Sequence, residues 1–209
     1  MFDWIFRKAM GACASHIEAK TRLTPEEIEA VKESWKRAKH AQIGRKILGT
    51  LLEKRPQFAQ MYGISEEEVM DGRMTSNTLF QLQACRIQNF LDTTVSSLGL
   101  CPTASVFAMA KRIGQIHYYK GVNFGSDSYT VFKKVTADEI IDVAEKTQHL
   151  LEKDGGHTEF LDQAIMSPYD TNNCNIRLGW NKLMNEIVRE MKEGFVQEAR
   201  AHNKDEGDS

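Results

Sequence analysis

The stretch 76–98, SNTLFQLQACRIQNFLDTTVSSL, decides what kind of fold the chain adopts. Phe80, Ala84, Ile87, Leu91, Val95 and Leu98 recur every three or four positions. That is the spacing of one helix face, not the alternation of a strand. Gln83 sits on the same stripe, so the helix carries an amide toward its apolar side. Downstream, Pro102 opens a second helix with Val106, Met109, Ala110 and Ile113 on one face. Four residues beyond Ile113, in KRIGQIHYYKGV (111–122), that face reaches His117.

The rest of the chain reads the same way. In LTPEEIEAVKESWKRAK, Thr24 precedes Pro25 at the first helical position and Glu27 follows three after Thr24, a capping-box start. QIGRKILGTLLEKR (42–55) is a helix that ends before Pro56, followed by a turn (PQFAQMYGI) and a polar link (SEEEVMDGRMTS). Long helical patterns run over about 128–152 (Val131, Phe132, Val135, Ile141, Ala144, Leu151) and 174–201 (Trp180, Leu183, Met184, Ile187, Met191, Phe195). Between them lies a long polar connection, and HNKDEGDS ends the chain as a disordered tail. No strand alternation competes, and no coiled-coil seam or internal repeat is present. The class is all-α, with six to eight helices.

Composition narrows the function. The chain has 209 residues, 27 Lys+Arg against 29 Asp+Glu and a net charge of −2, which suits one domain with extensions and argues against a nucleic-acid partner. There is no run of 18 apolar residues, so no transmembrane span is expected. The four cysteines (Cys13, Cys85, Cys101, Cys174) form no CxxC pair, and the N-terminus has no apolar signal core. A reducing, cytoplasmic setting follows as the expectation. One alternative stays open. MGACAS (Met10–Ser15) matches an acylation pattern, which would give membrane association through Gly11 and Cys13 in a form starting at Met10.

Gln83 and His117 are two polar residues on inward stripes of successive helices. Burying either without a partner costs about 1–3 kcal/mol. Taken singly, each is most simply a core residue bonded to a neighbour. Together they suggest a flat cofactor between two helices, with an imidazole on one side and a neutral donor on the other. Haem is the obvious candidate, because neutral imidazole ligates iron well.

At this point the sequence resembles the globins, most closely the divergent nematode-type globins of invertebrates. GRKILGTLLEKRP resembles the globin B helix and its following proline. The family's aromatic, six residues after that proline, falls on Tyr62, and its distal residue, 21 further on, falls on Gln83. RIGQIHYYKGV resembles the proximal segment, and LGWNKLMNEIVREMKEGF the H helix. The resemblance spans about 22–200, leaving 1–21 and 201–209 as extensions.

It implies a globin fold around a haem b (iron protoporphyrin IX) pocket. His117 would be the iron ligand, Gln83 the distal residue and Tyr62 the aromatic on the haem face. Leu48, eight before Pro56, would cap the distal side, and Ile87, Ile113 and Val122 would complete the apolar wall. The implied function is reversible binding of O2 or a related diatomic (NO, CO) for oxygen binding, sensing or redox signalling. A haem-dependent redox enzyme served by an electron-donor partner is the alternative, and a haem-less interaction module a third. Departures are Tyr in place of the usual Phe, Gln in place of the common His, and a longer stretch between Gln83 and His117, expected as a loop near Cys101–Pro102. Arg86 is expected as a solvated residue, with a haem propionate as its other possible partner.

Overall fold

Seven α-helices and three short 3-10 segments make up residues 23–122, 125–154 and 171–205, which the structure, a computed structural model, describes; no strand occurs among them. The α-helices are α1 (Pro25–Ala38), α2 (Ile43–Lys54), α3 (Glu66–Met70), α4 (Thr78–Ser97), α5 (Thr103–Tyr119), α6 (Ser126–Asp154) and α7 (Thr171–Asp205). The 3-10 segments are Lys39–Ala41, Pro56–Tyr62 and Arg73–Ser76. The all-α class is as the helical spacing predicts. The N-terminal extension, with Gly11 and Cys13, most of the connection before α7 (155–170) and residues 206–209 lie outside the described residues.

Local chemistry sets the helix starts. Thr24 Oγ1 accepts from the Glu27 amide at 3.2 Å, and Glu27 reaches back to the Thr24 amide at 2.9 Å, closing the capping box of α1. Asn77 caps α4 by accepting from the Leu79 amide at 2.8 Å. Two expectations are corrected. The polar link 65–76 contains a helix the sequence reading left out: Ser65 and Glu68 form a second capping box that starts α3. The expected link near Cys101–Pro102 is present and short, with residues 98–102 separating α4 from α5. Finally, α7 continues to Asp205, so 201–205 is helix rather than tail.

The core is centred on Trp35 and Trp180, whose rings lie 6.1 Å apart. Both indole N–H groups are satisfied, Trp180 donating to Ser34 Oγ at 2.8 Å and Trp35 to Asp92 Oδ1 at 2.7 Å. Lys182 on α7 donates to buried Glu27 at 2.6 Å, tying α7 to α1.

Two close crossings decide where the site forms. α4 packs on α2, where a Cβ on Gly44 would collide with the Ala84 carbonyl, and Gln88 Oε1 accepts from the Gly44 amide at 3.2 Å. α5 packs along α7, where Gly114 lies against the Met191 carbonyl and Gly194 against the Lys111 carbonyl, with no room for a side chain at either. α4 and α5 are therefore each anchored to a different partner. They hardly touch each other, and a slot remains between them.

Candidate functional site

That slot is a cavity of about 850 Å³, within the ~300–1,000 Å³ typical of ligand sites. α4 lines it with Gln83, Ile87 and Phe90, at helical spacing on one face. α5 faces it with Met109, Ile113 and His117, each four residues after the last. Phe58, Met61 and Tyr62 close one end from the 3-10 segment, and Leu51, Phe132 and Met191 add apolar surface from α2, α6 and α7. Val122 lines it from just beyond α5.

Of the seven residues singled out from the sequence, six line this one cavity: His117, Gln83, Tyr62, Ile87, Ile113 and Val122. Leu48 is not among its lining residues. It is fully buried in the core, and Leu51, one turn later on α2, lines the cavity instead. α2 is buried on nearly every face, with Ile47, Leu48, Leu51 and Leu52 all enclosed, so spacing alone does not pick out the one that reaches the slot.

The end of α5 is held firmly. Gly121 takes a positive φ of 65°, which lets the Val122 amide donate back to the His117 carbonyl at 2.9 Å and turns Val122 into the cavity. Beside His117, Tyr118 packs on Phe195 (5.5 Å between centroids) and His202 (5.2 Å). Glu198 accepts from Gln115 and from the Tyr119 hydroxyl, both at 2.7 Å. The last turns of α7 thus clamp the helix that carries the imidazole.

Burial pushes the His117 imidazole down to about 4, so it is neutral near pH 7 and has a ring nitrogen able to ligate a metal. Burial also pushes the Tyr62 phenol up to about 12, which keeps it a protonated donor. Gln83 Oε1 accepts from Arg86 at 3.3 Å, leaving its NH2 group for the cavity. Arg86 is exposed but lines the cavity, so it is more than a solvated helix residue.

Of the rim, only Arg86 was raised from the sequence. Arg86, Arg112 and Lys120 are all exposed cavity-lining residues, and among the described residues no Asp or Glu lines the cavity, although acids outnumber bases along the chain. The cavity is thus mainly apolar inside, and its exposed charged lining residues are cationic. The missed signal was the edge of each stripe, where Arg86 follows Gln83 by three and Lys120 follows His117 by three.

Among the described residues, His117 is the only His, Cys, Asp or Glu lining the cavity, and no cluster of three such residues able to hold an ion occurs. A metal bound at His117 would therefore bring most of its own ligands. A second hollow of about 780 Å³ lies between the 98–107 region and α7. It contains the Glu186–Arg189 ion pair at 2.6 Å and no imidazole. No helix among the described residues is long and apolar enough to cross a membrane.

No family model matches the chain, and no curated protein resembles it closely enough to count as a match. What the fold and the cavity define is an all-α chain with an amphiphilic slot between two helices. The slot has a neutral imidazole on one wall and an amide on the other.

Proposed function

We propose that this chain is a haem-binding protein of the globin type that reversibly binds O2 or a related diatomic. One observation carries the reading: His117 and Gln83 lie on the inward stripes of α5 and α4, on opposite helices lining one apolar slot with a cationic rim. The donor set fits haem b. His117 would hold the iron, Ile87, Ile113, Met109 and Phe90 would pack on the macrocycle, and Arg86, Arg112 and Lys120 would offer charge to its two carboxylates. When bound, the haem supplies an iron centre with a position open to a small ligand. Gln83 then offers an N–H donor to a polar ligand, worth about 0.5–1.5 kcal/mol net. The apolar wall keeps bulk water away from it. The setting we infer is cytoplasmic.

Haem titration of the purified full chain tests this. A Soret band should form at one equivalent and be lost in His117→Ala. A chain that gives no such band would be a haem-less module. Sustained NO or peroxide turnover with an added reductant would mark the protein as a redox enzyme.

A further inference from the structure

Tyr62 carries a hydroxyl where the globin resemblance calls for phenylalanine. The residue ends the 3-10 segment Pro56–Tyr62, whose exit is fixed: the Gly63 amide donates to the Gln60 carbonyl at 3.1 Å and the Ile64 amide to the Ala59 carbonyl at 3.0 Å. The buried Ile64 side chain anchors the same turn. The ring lines the cavity together with Gln83 and Ile87. Among the described residues nothing accepts a hydrogen bond from its hydroxyl, and burial alone accounts for its raised pKa. The residue is half-buried, so its hydroxyl is not sealed into the core. Its natural partner is a group that enters the cavity.

We propose that the Tyr62 hydroxyl is a second hydrogen-bond donor, beside the Gln83 amide, to the small ligand taken up in this cavity. It discriminates in favour of a ligand that gains negative charge on binding, such as O2, over one that does not, such as CO. This rests on the haem reading. Tyr62 adds to the Gln83 amide a donor from a different element, and the ligand-binding selectivity changes accordingly.

Tyr62→Phe removes only the oxygen and keeps the ring, so the fold is retained. The haem-loaded full chain and this variant are compared by O2 and CO dissociation rates and by the infrared C–O stretch of the CO complex. O2 dissociation should rise about tenfold, the equivalent of one lost hydrogen bond. CO dissociation should stay within about twofold of the parent, on the same energy scale, while the C–O stretch moves to higher frequency. Unchanged O2 dissociation and an unchanged stretch, in a variant that binds haem normally, overturn the role of Tyr62 and leave the haem reading intact. A parent chain with no Soret band overturns both.

Discussion

His117 is the residue on which the account turns, and its burial has a consequence that needs no cofactor. Its imidazole is held near 4 in the fold, against an ordinary 6.5. The unfolded chain therefore takes up this proton first as pH falls. The associated stability is complete above pH 6.5 and declines toward pH 4. One group contributes a slope of at most about 1.4 kcal/mol per pH unit, hence about 3 kcal/mol over the window. Urea unfolding of the cofactor-free chain at pH 7 and pH 4.5 should show this loss, and His117→Leu should lack that share of it. Parallel pH profiles for the two proteins would show that His117 is not held neutral by the fold. Across the slot, Gln83→Leu should speed O2 dissociation from the haem-loaded protein by up to about tenfold. It should hardly alter stability, because the side chain's one hydrogen bond among the described residues, to Arg86, is exposed. An O2 off-rate equal to the parent's would remove Gln83 from the ligand's contacts. Gln83, His117, Ile87 and Ile113 were legible because each lies on a stripe whose period fixes its direction. Leu48 was not, since a helix enclosed on nearly all sides offers no preferred face.

At the scale of the helices, the starts at Thr24 and Pro102 and the stop before Pro56 were written in capping and proline chemistry, and the structure begins or ends its segments within two residues of those positions. α3 was missed although Ser65 and Glu68 spell out its cap. It buries one apolar side chain, Val69, too little for a periodic signal. Gln83 and His117 suggested a slot between two helices, but what keeps it open was not readable, because it follows from α4 packing on α2 while α5 packs on α7. Glycine at 114 and 194 makes the second of these possible. Gly114→Ala would drive a methyl group into the Met191 carbonyl, and backbone cannot swing aside as a side chain does. Overpacking of this kind costs about 1–3 kcal/mol or more. A lower urea midpoint, with weaker haem uptake as α5 is pushed toward the slot, is the expected result. A variant as stable as the parent would mean the crossing is looser than it looks.

The whole molecule combines an ordinary helical core with a cavity, lined by Gln83 and His117, that the core does not fill. Trp35, Trp180 and the Lys182–Glu27 pair hold α1 against α7, with both indole donors satisfied, so the scaffold around the slot is rigid. The cavity's lining departs from that core in sign as well as polarity: three cations and, among the described residues, no carboxylate, in a chain with a net charge of −2. A slot kept open in this way loses packing contacts unless something fills it, and the occupant we propose, a haem, would be flat, largely apolar, anionic at its edge and able to take an imidazole. Ultraviolet–visible spectroscopy of the haem-titrated chain in its ferric, ferrous and CO-bound forms tests this most directly. The account predicts one Soret-absorbing equivalent, dependent on His117, and a ferrous spectrum of the high-spin, five-coordinate type, because α4 lines the slot with Gln83 and no second imidazole. CO should bind readily. No Soret band, or one that survives unchanged in His117→Ala, would contradict it.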